Sequence, residues 1–219
     1  MPTRVERRLC PCVPDPDMSD PSSLIESAAQ GRRRAVGRGI EHVALGLFAE
    51  RPLAEVTVDE IVSAADVSLR TFYRYFSTKE QVFIGLPRRG AEQIARDVLA
   101  VPASVPPFEA VERAVATADR LLADEDLDLW MAALMRSGAT DRLARLALAT
   151  TASALTDALA TRAGLPADDP WVEMAGSATA SAITVGIRRW MRHRRGDIAP
   201  HVLAALDIAG RGLRAGPGG

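Results

Sequence analysis

Side chains that can donate several hydrogen bonds are concentrated in one short segment, which contains Arg70, Thr71, Tyr73, Arg74 and Tyr75. No acidic residue occurs between positions 69 and 78. A helix that buries Leu69, Phe72 and Phe76 would carry most of these donors on its opposite face, because each residue turns by about 100°. Such donors recognise phosphates and base edges, whereas an ordinary solvated face usually mixes glutamate with lysine. The pattern favours binding in the major groove of DNA.

Local signals predict the elements that would position this face. Thr57 and Glu60 have the spacing of a capping box, in which each side chain satisfies a backbone N–H at the start of a helix. Asp66 tolerates the left-handed conformation that a tight turn can require. Ser68 is a good N-cap for the helix that carries the donors. These signals predict two short helices joined by a tight turn.

A longer helix is predicted on each side of this pair. An amphipathic stripe predicts a first helix from about residue 33 to residue 51, which Pro52 ends. Ser77 and Glu80 repeat the capping-box spacing and predict a fourth helix that starts beside them. Pro87 falls inside that fourth helix and should kink or interrupt it, because proline lacks the backbone N–H.

The rest of the chain reads as helices separated by breaks rich in proline and glycine. Apolar periodicity predicts helices at about residues 107–123, 127–136, 141–163, 171–195 and 201–214. No stretch alternates apolar and polar residues as a half-buried strand does, so we predict an all-α fold. Residues 1–30 are rich in proline and poor in apolar residues, which predicts a disordered tail.

Four segments, residues 44–50, 57–61, 64–68 and 71–80, together resemble the tetracycline-repressor (TetR) family of transcriptional regulators. The resemblance implies an N-terminal three-helix helix-turn-helix DNA-binding domain, followed by a helical effector-binding and dimerisation domain. We therefore place the DNA-binding domain at residues 31–80 and the C-terminal domain at residues 81–219. Asp66 and Arg70 stand where glycines are common in the family, and Arg70 adds a charged reader that suggests a different operator.

The resemblance also assigns DNA contacts. It places Thr71, Tyr75 and Lys79 on phosphates. It places Leu69, Arg70 and Tyr73 near bases, where a guanidinium can bind guanine with two hydrogen bonds. The full candidate set is Thr57, Ser68, Leu69, Arg70, Thr71, Tyr73, Arg74, Tyr75 and Lys79. Lys79 lies in the first turn of the predicted fourth helix, where its ammonium would add to the helix N-terminus to form a phosphate site.

A basic run lies at the start of the predicted first helix and consists of Arg32, Arg33, Arg34 and Arg38. Two interpretations stay open. The run is either a solvated stretch of arginines or an arm that contacts phosphate or an adjacent minor groove.

Large apolar side chains in the C-terminal half suggest an effector pocket. The candidates are Trp130, Met131, Leu134, Met135, Trp171 and Met174. Aromatic and methionine side chains suit irregular apolar ligands, although the default role of such residues is core packing. A second set contains small residues on one long helix and is the candidate dimer interface: Ala175, Thr179, Ala182, Ile183 and Gly186. Small side chains let helices approach closely, and the alternative is packing within one chain.

Composition limits the remaining possibilities. The net charge is −1, so any nucleic-acid contact must be a local patch. Cys10 and Cys12 lack the further ligands of a zinc site, and we expect no metal and no cofactor. No apolar stretch is long enough to span a membrane and the N-terminus lacks a signal-peptide core, so we expect a cytoplasmic protein. No catalytic constellation is visible, and we expect no enzyme.

The sequence predicts a sequence-specific transcriptional regulator. We expect a homodimeric repressor that leaves a palindromic double-stranded DNA operator when a small apolar effector binds. An activator or a global DNA-binding regulator of the same fold is the first alternative. A helical enzyme is the second and far weaker one.

Overall fold

The computed structural model describes residues 21–117, 126–193 and 197–213. Helices make up almost all of these ranges: α1 (Pro21–Glu50), α2 (Val58–Ala64), α3 (Leu69–Tyr75), a 3-10 segment (Lys79–Ile84), α4 (Gly85–Ala100), α5 (Pro107–Ala116), α6 (Asp126–Arg136), α7 (Thr140–Ala163), α8 (Pro170–His193) and α9 (Ala199–Leu213). Within the described ranges no strand occurs. The all-α prediction is confirmed.

The chain divides into two units, residues 1–37 and residues 38–219. The described part of the first unit is the N-terminal portion of α1, which begins at Pro21. Residues 21–30, which the sequence predicts as part of the tail, fall within α1. Proline is favoured at the first position of a helix, and the alanines and glutamate that follow are good helix formers. Residues 1–20, with Cys10 and Cys12, lie outside the described residues.

Two hydrophobic cores organise residues 38–219. The first fills the helix-turn-helix region around the fully buried rings of Phe48, Phe72 and Phe83. The rings of Phe48 and Phe83 stack with their centroids 5.2 Å apart. Trp130 and Met131 of α6 extend this core, so the helix-turn-helix packs directly on the C-terminal helices. The second core joins α4, α5, α7, α8 and α9.

The prediction for the fourth helix is wrong in two respects. The backbone N–H of Ser77 donates to the Gln81 side chain at 2.9 Å, and Thr78 makes no side-chain capping bond. A 3-10 segment follows instead of an α-helix, and α4 begins only at Gly85. Pro87 is the third residue of α4, where a backbone N–H has no partner within the helix. Proline is tolerated there, and Pro87 lies in the first turn of α4 rather than in the interior of a longer helix.

Candidate functional site

The capping box at the start of α2 forms with both of its hydrogen bonds. The backbone N–H of Glu60 donates to Thr57 Oγ1 at 3.2 Å, and the backbone N–H of Thr57 donates to Glu60 Oε2 at 2.8 Å. Arg51 at the end of α1 also donates to the Glu60 carboxylate, at 2.8 Å. The Thr57 N–H, followed by the Arg51 guanidinium and the Thr57 hydroxyl, lowers the pKa of Glu60 from 4.5 to about 2. This network fixes the first turn of α2.

The turn between α2 and α3 has the predicted chemistry. Asp66 adopts a φ of 51°, which is the left-handed conformation expected of it. The backbone N–H of Val67 closes the turn by donating to Val62 O at 3.0 Å. Ser68 caps α3, because its hydroxyl accepts a hydrogen bond from the backbone N–H of Thr71 at 3.1 Å. Both ends of the turn are therefore held by local hydrogen bonds.

The exposed face of α3 brings together the side chains that were predicted to contact DNA. Arg70 and Arg74 are exposed, as is Tyr73 with an exposed fraction of 55%. Phe72 and Phe76 anchor the opposite face in the core.

Two side chains of α3 add detail to this face. Leu69 was expected on the buried side but is 43% exposed, whereas Phe72 is buried and Tyr75 packs partly against the first core. Its position leaves it available for the base contact that was also predicted for it. The guanidinium of Arg74 lies over the ring of Tyr75, 5.0 Å from its centroid, in a cation–π contact.

Lys79 has partners that the sequence did not indicate. Its Nζ donates to the main-chain oxygens of Leu53 and Val56, both at 2.6 Å. These carbonyls belong to the connection between α1 and α2. An ammonium has three N–H donors, so two of them are occupied inside the protein. Lys79 therefore holds that connection in place through two hydrogen bonds. It lies in a 3-10 segment rather than at the start of an α-helix.

The basic run lies mostly in the first unit. Arg32, Arg33 and Arg34 are exposed on the N-terminal portion of α1. Arg38 begins the second unit and is also exposed. The contribution of this run to DNA binding stays a prediction.

A cavity of about 540 Å³ lies among α4, α6, α7, α8 and α9. Of the predicted pocket residues, Trp130, Leu134 and Met135 line it. The other three do not line it. Met131 is buried in the first core, Trp171 packs against the second core, and Met174 is exposed at the start of α8. The helical periodicity of apolar residues identified the apolar face of α6. It did not show which other helices that face would contact.

Several lining residues were missed because they lie on α4, near the predicted kink. They are Leu86, Pro87, Arg89, Gly90, Ala91 and Ile94. The spacing of Leu86, Gly90 and Ile94 by four residues was a signal that could have identified this face. The polar part of the lining comprises Arg89, Arg145, Arg188, Asp141, Thr140, Thr151 and Thr184.

The small residues of α8 pack within the chain. Ala175, Thr179, Ala182 and Gly186 are buried, while Ile183 lines the cavity. A Cβ atom added to Gly186 would collide with Val202 of α9, so this glycine permits a close contact between α8 and α9. The assignment of this face to a dimer interface is therefore wrong. Small residues allow close packing, but they do not indicate whether the partner helix belongs to the same chain.

The outward faces of α8 and α9 carry apolar side chains instead. Met174 and Val185 of α8 are exposed, and Ile208 of α9 is 71% exposed. We call these three residues the α8–α9 outer face.

No helix in the described part of the chain is long and apolar enough to cross a membrane. Among the same residues, no cluster of three or more histidine, cysteine, aspartate or glutamate side chains could hold a metal ion.

The fold and the site together define a helix-turn-helix protein with a helical C-terminal domain. The family model of bacterial regulatory proteins of the tetR family matches residues 40–86, and that of the MftR C-terminal domain matches residues 105–214. The chain belongs to the tetR family of bacterial regulatory proteins.

Individual relatives agree over shorter stretches. The HTH-type transcriptional regulator EthR of Mycobacterium tuberculosis is 37% identical over 73 residues, which cover 31% of this chain and 34% of EthR. MftR of the same organism, whose name refers to transcriptional regulation of mycofactocin biosynthesis, is 37% identical over 57 residues, which cover 26% of this chain and 29% of MftR. The matches thus span about a third of these relatives or less.

A solved structure of a tetR-family transcriptional regulator from Streptomyces coelicolor is 22% identical, with a TM-score of 0.46 over 82% of each chain.

Proposed function

We propose that the protein is a cytoplasmic transcriptional repressor that binds an operator through α3 and releases it when a small molecule occupies the cavity. The observation that carries this proposal is the exposed face of α3, where Arg70, Tyr73 and Arg74 project from a helix capped by Ser68. A capped helix presents these donors in a fixed geometry, as reading of base edges requires. The candidate phosphate ligands are Thr57, Ser68, Thr71 and Tyr75.

A homodimer would supply two such helices. The α8–α9 outer face is the candidate interface, because it leaves Met174, Val185 and Ile208 exposed on the two C-terminal helices. Pairing of two copies through these helices would form a four-helix bundle around a two-fold axis. The two copies of α3 would then enter successive major grooves about 34–36 Å apart and read a palindromic operator.

The cavity is the candidate effector site. Its volume of about 540 Å³ falls within the range of small-molecule pockets, and its walls are mostly apolar. It also touches α4, which is joined to the helix-turn-helix by the 3-10 segment. A ligand that binds one position of α4 more tightly than another would shift α4 and change the distance between the two copies of α3. The difference in ligand affinity between the two positions would be the source of the regulatory effect.

A binding selection from random duplexes tests the proposal. We expect the full-length protein to enrich one palindromic sequence, with an affinity that falls steeply as salt rises. The Arg70→Ala variant should lose preference at one base pair in each half-site while it keeps its fold. Enrichment of no sequence at all would refute operator recognition and would favour a global DNA-binding regulator. Binding that is insensitive to Arg70→Ala would place the reading surface elsewhere.

A further inference from the structure

Arg89 connects the cavity with α1, the first helix of the DNA-binding region. It lines the cavity from α4, and its Nη1 lies 2.7 Å from Oε2 of Glu41 on α1. The Glu41 side chain is only 4% exposed. A buried carboxylate depends strongly on its cationic partner, because removal of that partner leaves an uncompensated charge in a region of low dielectric. The position of α1 against α4 is thus tied to the conformation of Arg89.

The Glu41 carboxylate also packs against the first residue of α4, Gly85. A Cβ atom at Gly85 would collide with this carboxylate, so any larger residue there would displace the Glu41 side chain. A negative charge at the start of a helix is stabilised by the exposed N–H groups and the dipole of that helix. Glu41 therefore joins α1 to the first turn of α4 through Gly85 and Arg89 together. Loss of the contact between Arg89 and Glu41 would therefore weaken this junction between α1 and α4.

The cavity lining is apolar over most of its surface but carries an excess of positive charge. Three arginines line it, Arg89, Arg145 and Arg188, against the single carboxylate of Asp141. The apolar walls suit a hydrocarbon body, and the arginines suit a carboxylate or another anionic group. This combination of charge and apolar surface favours a ligand that has both parts.

We propose that the effector is an amphipathic anion whose charged group binds Arg89 in competition with Glu41, which releases α1 from α4. This inference rests on the proposed function, since it specifies the ligand class and the coupling residue of the same cavity. The ligand anion and the Glu41 carboxylate need the same guanidinium. Binding of one therefore weakens binding of the other, and this reciprocity is what couples the two sites.

Calorimetric titration of the full-length protein with decanoate and with 1-decanol tests the inference, because the two probes differ in charge. We expect wild-type protein to bind decanoate roughly tenfold more tightly than 1-decanol. Arg89→Gln should bring the two affinities together without loss of 1-decanol binding. Glu41→Gln removes the competitor, so it should tighten decanoate binding by roughly tenfold and leave 1-decanol unchanged. A merely structural role of the pair would shift both affinities alike.

Arg96→Gln is the matched control, since it removes an equal charge from α4 outside the cavity lining, and it should keep the preference for decanoate. If either single variant fails to fold, the Glu41→Gln/Arg89→Gln double variant, which removes both charges, should show no preference. The inference is overturned if neither probe binds the wild type, if Arg188→Gln rather than Arg89→Gln abolishes the preference, or if Glu41→Gln does not tighten decanoate binding. Failure of the ligand-free protein to bind any DNA would instead refute the proposed function, and the titrations do not depend on it.

Discussion

The indole N–H of Trp130 donates a hydrogen bond of 2.9 Å to the main-chain oxygen of Phe83. The residue four positions after Phe83 is Pro87, which has no N–H to offer to that oxygen. Trp130 thus supplies a side-chain donor to an oxygen that residue 87 cannot serve. Because Trp130 also lines the cavity while Phe83 belongs to the first core, this bond joins the candidate effector site to the DNA-binding region.

Trp130→Phe should lower the free energy of unfolding by about 1–3 kcal/mol, since it leaves the buried Phe83 oxygen without this donor. Urea unfolding monitored by circular dichroism would measure the loss. Trp171→Phe is the matched control, because the buried Trp171 indole nitrogen has no hydrogen-bond partner among the described residues. Equal losses in the two variants would show that ring packing, rather than the hydrogen bond, accounts for the effect.

Pro87→Ala should reduce the cost of losing the Trp130 indole, because alanine restores a backbone N–H near the Phe83 oxygen. A double-mutant cycle with Trp130→Phe would measure the interaction free energy between the two positions. We expect the cost of Trp130→Phe to be smaller in the Pro87→Ala background. Additive effects would show that residue 87 and Trp130 do not share the Phe83 oxygen.

Lys79→Met should destabilise the fold, because it removes two hydrogen bonds from a charged group to the carbonyls of Leu53 and Val56. We expect a loss of roughly 2–4 kcal/mol in the free energy of unfolding. Arg70→Ala serves as the comparison, since it removes a cation from the exposed face of α3 and should leave stability nearly unchanged while altering base preference. A fully stable Lys79→Met protein with reduced salt dependence of DNA binding would instead favour the phosphate contact predicted from the sequence.

Glutamate substitutions on α8 and α9 should separate folding from dimerisation. Ala182→Glu places a charge in the core of one chain and should unfold it, because Ala182 is buried. Ile208→Glu changes an exposed residue of the α8–α9 outer face, so the monomer should stay helical but fail to dimerise. Sedimentation and circular dichroism would distinguish these results. A dimeric Ile208→Glu protein would place the interface elsewhere.

Acid should weaken the start of α2 through Glu60. The pKa of Glu60 is about 2 in the folded protein against an ordinary value of 4.5, so the unfolded chain takes up the proton first as the pH falls. The stabilisation by this carboxylate is complete above pH 4.5 and is lost between about pH 4.5 and pH 2. Glu60→Gln should therefore flatten the pH dependence of unfolding across this window. An unchanged slope would assign acid sensitivity to other carboxylates.

Local interactions account for what the sequence determined by itself. The capping box of Thr57 and Glu60, the left-handed Asp66 and the Ser68 cap each involve residues a few positions apart. Their geometry follows from the chain itself, whatever else packs nearby. The same holds for the bounds of α6 to α9, which apolar periodicity and proline or glycine breaks predicted to within two residues.

Only the tertiary structure decided which partners these helices meet. Lys79 binds carbonyls more than twenty residues away, and Glu41 pairs with Arg89 across 48 positions. Periodicity identifies a buried face but carries no information about the element that covers it. For that reason the small residues of α8 gave no indication that α7 and α9 of the same chain would cover them, and the α4 wall of the cavity was missed. Long-range packing, set by how all the helices fill space together, determined the cavity and the junction between Glu41 and Arg89.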